Sequence, residues 1–145
     1  MTGDLADRMA VRETIERYSV ALNMRDFDTM RGCFVADGVW RVDPPFDIRL
    51  EGDAIVAGIS QMVGAMPFLF QGLMGTIVTV DGDSATATTS VHELGQRAAG
   101  EGGMDSYGLY HDRLVRTAEG WRFAERRFQP LYLDTGAMPG NVIGG

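Results

Sequence analysis

The chain has one cysteine, Cys33, and two histidines, His92 and His111. A single thiol cannot form an intramolecular disulfide, which is typical of proteins from a reducing compartment. We expect Cys33 to be a small buried apolar residue rather than a nucleophile. Two histidines also nearly exclude any mechanism that depends on several imidazole groups.

Long apolar runs and an excess of basic charge are missing as well. No apolar run approaches the roughly 18 residues that a membrane span needs, and residues 1–7 lack the basic and apolar regions of a secretory signal. The 13 basic and 20 acidic side chains give a net charge of −7, whereas nucleic acid attracts basic surfaces. The sequence therefore predicts a cytoplasmic protein with no nucleic-acid or membrane partner.

The composition that remains is that of an ordinary globular protein. A chain of 145 residues, 45% of them hydrophobic, is long enough for one domain with a core and an internal pocket. We predict a single domain over residues 1–135. A flexible glycine-rich tail is predicted to follow over residues 136–145.

The first part of the chain predicts three helices and one strand. The first helix is indicated by an apolar stripe with a helical period, Val11, Ile15, Tyr18 and Leu22. Asp26 is predicted to cap a short second helix that reaches residues 30–34. Residues 38–42 predict a strand, and residues 52–53 open a third helix that Pro67 ends.

The rest of the chain predicts long antiparallel strands over residues 69–80, 84–94, 106–116 and 121–133. Residues 81–83 form an Asp-Gly hairpin turn, and residues 96–105 are expected to be a flexible loop. Helices followed by hairpin-connected strands predict an α+β fold. We expect a cone-shaped, curved antiparallel sheet with the N-terminal helices on its concave face, enclosing a hydrophobic pocket.

Three stretches of the chain, residues 18–40, 78–87 and 108–127, resemble the SnoaL-like branch of the nuclear transport factor two-like superfamily. The superfamily includes scytalone dehydratase, ketosteroid isomerase and polyketide cyclases. The resemblance implies the cone fold, and catalysis in an apolar cavity without metal or organic cofactor. It does not specify the reaction, because this fold supports many chemistries.

The chain departs from this resemblance at two positions. Lyase members commonly have an aspartate near the end of the first helix and a histidine on the first long strand. Here those positions hold Asn23 and Gln71, and neither amide can take a proton near neutral pH. We expect both amides to orient substrate hydroxyls instead.

The resemblance implies that four other reactive side chains face the cavity. Glu93 would be the base, Arg126 would stabilise a developing anion, and Tyr18 or Tyr110 would be the acid. Three alternatives stay open. Glu93 could lie in solvent or in a plain salt bridge with Arg126, Arg126 could point to the outer face, and the tyrosines could be ordinary core residues.

Further residues are predicted to contact the substrate: Asn23, Trp40, Phe68, Gln71, Val91, Ser106 and Phe128. For Phe68 a core role comes first and a place in the wall of the ligand pocket second. Strand alternation puts His92 and His111 on the opposite face, so no metal site is expected. That face, which also carries Thr86, Thr88 and Ser90, is where we expect a homodimer or higher homo-oligomer to form.

These features predict a cofactor-independent lyase. Its substrate would be a hydrophobic, aromatic or polycyclic, hydroxylated small molecule, and the reaction would be dehydration or a retro-aldol cleavage. An isomerase or cyclase could use the same groups without a leaving group. Because the usual aspartate and histidine are absent, a non-catalytic small-molecule-binding protein is a further alternative.

Overall fold

A computed structural model describes residues 5–144. Predictions for residues 1–4 and 145, at the N-terminal segment and the end of the tail, lie outside the described residues. The elements are α1 (Leu5–Met24), α2 (Phe27–Gly32), β1 (Phe34–Val42), β2 (Ile48–Glu51), α3 (Ala54–Gly64), β3 (Phe68–Asp81), β4 (Ser84–Gln96), β5 (Gly103–Thr117) and β6 (Gly120–Asp134).

The six strands form one curved, mixed sheet in the order β2-β1-β6-β5-β4-β3. The predicted α+β architecture is confirmed. The pairing differs in one place, because β1 runs parallel to β6 while the other neighbouring strands are antiparallel. A parallel pair needs a long crossover connection, and here the whole segment from β2 to β5 separates the two strands.

Helix α1 forms where its apolar stripe predicts it and buries that stripe against the sheet. Val11, Ile15, Tyr18 and Leu22 are at most 4% exposed. The helix ends before Arg25, whose positive φ of 57° breaks the helical path. Asp26 then caps α2 by accepting a hydrogen bond from the Thr29 backbone N–H at 3.1 Å, as predicted.

The predicted extension of the second helix to Phe34 is wrong, because Phe34 already pairs with Phe123 in the sheet. Strand β1 ends at Val42, and the chain turns through residues 43–47 into β2, a short strand absent from the sequence prediction. Helix α3 lies against β2. Gly58 makes this approach possible, since a Cβ there would lie 2.6 Å from a Leu50 methyl carbon.

The long hairpin of β3 and β4 turns at Gly82, whose φ of 59° is readily adopted by glycine. The strands are longer than predicted, because β4 reaches Gln96 and β5 begins at Gly103. The predicted flexible loop over residues 96–105 is therefore shorter, spanning residues 97–102. No helix among residues 5–144 is both long and apolar enough to cross a membrane.

Residues 135–144 of the tail contain no helix or strand, yet they contact the end of β4. The Gln96 side chain donates hydrogen bonds to the carbonyls of Met138 at 2.7 Å and Gly140 at 2.6 Å. The domain boundary, the flexibility of the tail and the homo-oligomer stay predictions.

Candidate active site

A cavity of about 500 Å³ lies between the helices and the sheet. Its walls are mainly apolar side chains from α1, β1, α3 and the long strands. Phe46, Met62 and Leu133 are 41–46% exposed and mark its open side, where Arg97 and Glu101 are also exposed. Side chains with polar groups also line the cavity: Tyr18, Trp40, Glu93, Ser106 and Tyr110.

Glu93 is the carboxylate on the inner side of β4. Its Oε2 accepts a hydrogen bond from Gln71 Nε2 at 3.0 Å. Its Oε1 has no hydrogen-bond partner within residues 5–144 and is not among the buried unpartnered atoms, so it is reachable from the cavity. Burial raises the pKa of Glu93, while the bond from Gln71 opposes that shift. A carboxylate of this kind can exchange a proton closer to neutral pH.

Tyr18 and Tyr110 supply two phenols to the same cavity. Their rings meet edge-on with centroids 6.1 Å apart, and Trp40 Nε1 donates a long hydrogen bond of 3.4 Å to Tyr110 Oη. Burial is the main cause that raises the pKa of each phenol, and the nearby Glu93 carboxylate raises both further. Both phenols therefore keep their protons near neutral pH and can donate them.

Arg126 points inward, as predicted, but it does not line the cavity. It is fully buried and binds Asp112 through two hydrogen bonds, Nε to Oδ1 at 2.8 Å and Nη2 to Oδ2 at 3.1 Å. Its guanidinium carbon lies 3.7 Å from the Tyr110 ring centroid and 4.4 Å from that of Tyr18. Its Nη1 has no partner among the described residues. The guanidinium group therefore contacts two aromatic rings that line the cavity, but not the cavity itself.

The alternative salt bridge between Glu93 and Arg126 does not form. Asp112 lies opposite both Arg126 and Ala87, and Ala87 precedes Glu93 by six residues along β4, which is about 20 Å of strand. Both side chains point inward because strand alternation requires it, but they occupy different levels of the sheet.

Asn23 and Gln71 lie together behind the cavity wall. The Asn23 side chain bonds both main-chain groups of Gln71, accepting from its N–H at 2.7 Å and donating to its carbonyl at 2.9 Å. Gln71 is 2% exposed, and its Oε1 has no partner in the described part of the chain. Neither amide lines the cavity. These two residues instead connect the end of α1 to Glu93.

The other predicted contact residues divide into two groups. Trp40, Ser106 and Phe128 line the cavity. Phe68 and Val91 do not; Leu69 faces the cavity in place of its neighbour Phe68, because adjacent strand residues point to opposite faces.

Sequence reasoning missed the apolar wall that α3 supplies. Ile59, Met62 and Val63 line the cavity, and their helical spacing was visible in the sequence. That spacing indicated a buried face but not which cavity the face would border, because the packing partner of α3 depends on the unpredicted strand β2.

Both histidines lie away from the cavity. His92 Nε2 is 2.8 Å from Asp105 Oδ1, and its ring stacks on Tyr107 with centroids 4.3 Å apart. His111 Nε2 lies 2.8 Å from Gln129 Oε1. Within residues 5–144, no group of three or more His, Cys, Asp or Glu side chains could hold a metal ion.

Solved structures share this architecture over nearly the whole chain. A hexachlorocyclohexane dehydrochlorinase from Novosphingobium barchaimii superimposes with a TM-score of 0.84 at 16% identity, covering 97% of each chain. A scytalone dehydratase-like protein from Novosphingobium aromaticivorans superimposes with a TM-score of 0.80 at 18% identity, covering 96% of this chain and 97% of the other. At these identities the likeness shows the fold.

The sequence comparisons found a relative and a matching family. An uncharacterized protein of Mycobacterium tuberculosis H37Rv is 29% identical over 130 residues, covering 85% of this chain and 84% of the relative. Residues 3–127 match the SnoaL-like domain, which is most of the chain. The protein therefore belongs to the SnoaL-like domain family.

Proposed function

We propose that the protein is a cofactor-independent lyase. Its substrate is a hydrophobic, aromatic or polycyclic, hydroxylated small molecule, and its reaction is an elimination by acid–base catalysis. The observation that carries the proposal is Glu93, a carboxylate with one free oxygen and a raised pKa, in an apolar cavity that also holds two protonated phenols.

The proposed loss of water uses only groups of the cavity. Glu93 Oε1 removes a proton from a carbon next to the hydroxyl-bearing carbon, and the electron pair of that C–H bond forms the double bond. The C–O bond breaks as Tyr110 or Tyr18 protonates the leaving hydroxyl, which departs as water. The proton held by Glu93 then returns to the phenolate, through solvent or directly, and restores the starting state.

Arg126 has an indirect part in this scheme. Its guanidinium group lies against the Tyr18 and Tyr110 rings, and its charge lowers the pKa of both phenols against the opposing effect of burial. We assign it to stabilising a phenolate that forms during proton transfer rather than to binding the substrate anion.

The comparisons support an elimination by analogy. The dehydrochlorinase from Novosphingobium barchaimii is named for removing hydrogen chloride from hexachlorocyclohexane, a hydrophobic ring. Retro-aldol cleavage, isomerisation and cyclisation would use the same base and acid, and the mass of the product distinguishes them. A non-catalytic binding protein is the second candidate. It is favoured by Asn23, whose amide oxygen and nitrogen both bond to the backbone.

The test begins with a thermal-shift screen of steroids and aromatic diols, because a bound ligand raises the apparent stability. Stabilising compounds are then incubated with the protein, and the products are identified by mass spectrometry. Glu93→Gln should lower kcat by about 10²–10⁴-fold and keep the ligand-induced thermal shift. The exposed Glu119→Gln variant, at 84% side-chain exposure, is the matched control.

Two outcomes would contradict the lyase assignment. If stabilising ligands are recovered unchanged after long incubation, the protein binds them without catalysis. If Glu93→Gln turns over an identified substrate as fast as the wild type, Glu93 is not the base.

A further inference from the structure

Gln71 and Glu93 lie directly opposite each other in the β3–β4 ladder. The main-chain N–H and carbonyl of Gln71 both bond to Asn23, and the carbonyl also accepts a hydrogen bond from Ser19 Oγ at 3.1 Å. These groups therefore point away from β4. In an antiparallel ladder, opposite residues without mutual main-chain bonds are the closer pair, with adjacent side chains.

The side-chain amide of Gln71 is held in one orientation by Glu93. Its Nε2 donates to Glu93 Oε2 at 3.0 Å. The reversed amide would place Gln71 Oε1 against an ionised carboxylate oxygen, which is repulsive. The observed orientation leaves Gln71 Oε1 buried without a partner in the described residues. Stability alone disfavours such an unpartnered acceptor.

We propose that Gln71 is a positioning residue for Glu93: it fixes carboxylate oxygen Oε2 and leaves Oε1 as the proton-accepting atom that faces the cavity. The chain of contacts runs from Asn23 through the Gln71 backbone and side chain to Glu93. The catalytic meaning of this inference rests on the proposed function, whereas the coupling between Gln71 and Glu93 does not.

An uncharged donor suits a base better than a cation does. An arginine beside Glu93 would lower the pKa of the carboxylate strongly and weaken it as a base. Gln71 orients the carboxylate, and its hydrogen bond lowers the pKa of Glu93 by less than burial raises it. The titratable groups that share the cavity are Tyr18 from α1, Tyr110 from β5, and Arg97 and Glu101 from the loop between β4 and β5.

The test replaces the amide with a side chain of similar length that cannot donate, Gln71→Met. Thr76→Val is the matched control, since it removes the 3.0 Å hydroxyl contact between Thr76 and Thr89 from the same two strands without touching Glu93. Carboxyl ¹³C NMR of the substrate-free protein follows the titration of Glu93. The Glu93 signal is the one that is missing from the spectrum of Glu93→Gln. Gln71→Met should move the midpoint to higher pH, and Thr76→Val should leave it unchanged.

The pH dependence of kcat/KM gives a second readout on an identified substrate. Gln71→Met should move the acidic limb to higher pH. On this limb the activity of Gln71→Met should be about tenfold lower than that of the wild type, which is the effect of one hydrogen bond to a charged group. At higher pH the activity should recover. A purely structural role for Gln71 would instead lower the activity without moving the acidic limb.

An unchanged Glu93 midpoint in Gln71→Met would overturn the inference, and so would a loss of activity that leaves the acidic limb at its wild-type pH. If Gln71→Met does not fold, the wild-type protein decides the question. The side-chain ¹⁵N–H signals of Gln71 should shift with the same midpoint as Glu93, and their failure to do so also overturns the inference. If Glu93→Gln keeps full turnover, the proposed function fails, while the substrate-free titration still decides whether Gln71 is coupled to Glu93.

Discussion

Arg126 and Asp112 form a bidentate ion pair at the centre of the core, with neither side chain exposed. The two residues are opposite neighbours on β5 and β6. Removing charges from water is costly, and a buried pair is often no more stable than well-packed apolar side chains. Its position beneath the rings of Tyr18 and Tyr110 connects this pair to the chemistry of the cavity.

Breaking the pair should destabilise the protein strongly. Asp112→Leu leaves the Arg126 guanidinium buried without its carboxylate, and the free energy of unfolding should fall by about 3–5 kcal/mol. The double variant Asp112→Leu/Arg126→Met removes both charges and should recover most of that loss. Urea denaturation measures both.

An exposed ion pair gives the control for this experiment. Arg49 and Glu51 are 58% and 61% exposed, so Glu51→Gln should change the free energy of unfolding by no more than about 1 kcal/mol. An Asp112→Leu variant as stable as Glu51→Gln would contradict the assignment.

The stability gained by Glu93→Gln should depend on pH. Burial raises the pKa of Glu93 in the folded state, so the folded protein binds the proton more tightly than the unfolded chain does. Below the unfolded pKa both states are protonated and the two proteins should be equally stable. As pH rises through the interval between the unfolded and folded pKa values, the wild type loses stability that the variant keeps.

Thermal or urea unfolding at pH 4 and pH 8 measures this difference. Glu119→Gln removes the same charge from an exposed turn, and subtracting its effect corrects for the change in net charge. A Glu93→Gln variant that is less stable than the wild type at pH 8 would show that the carboxylate stabilises the fold.

Gly108→Ala should disturb the cavity through Phe128. A Cβ at Gly108 would lie 2.3 Å from Phe128 Cζ and 2.6 Å from the Gln129 carbonyl oxygen, so Phe128, which lines the cavity, must move. The expected loss is about 1–3 kcal/mol of stability, with weaker ligand binding measured by thermal shift. Gly32→Ala, which meets nothing within 4 Å, is the control and should be close to neutral.

Tyr110→Phe should lower turnover by about 10²-fold, because it removes a candidate proton donor. It also removes the acceptor of the Trp40 Nε1–H bond, so a small loss of stability should accompany it. Tyr107→Phe is the control, since Tyr107 is 40% exposed and lies outside the cavity. Wild-type kcat in Tyr110→Phe would leave Tyr18 as the remaining phenolic acid.

The periodic patterns of the sequence predicted which side chains of a helix or strand face the interior. The stripe of α1 located Tyr18, and strand alternation selected Arg126 rather than Arg127 as the inward arginine. Arg126 is buried against Asp112 and Arg127 pairs with Asp43. The face of β4 that carries Glu93 was predicted in the same way.

Features that depend on distant partners were not predictable. Strand β2 alternates apolar and charged residues, but it is only four residues long and follows a double proline, so this pattern is too short to distinguish a strand from a loop. The parallel pairing of β1 with β6 joins segments far apart in sequence. Asn23 was expected to face the substrate, but its partner is the backbone of Gln71, 48 positions away. No local pattern distinguishes these two environments.

The bonds between Asn23 and Gln71 also affect how this chain meets other chains. Strand β3 is an edge of the sheet, and an open edge can recruit a strand from another molecule and start aggregation. The Asn23 side chain forms hydrogen bonds with the outward N–H and carbonyl of Gln71, as a neighbouring strand would. Further along β3, the Arg12 side chain donates a hydrogen bond to the Thr76 carbonyl. Helix α1 therefore shields this edge, and variants that shorten Asn23 should favour intermolecular β-sheet formation.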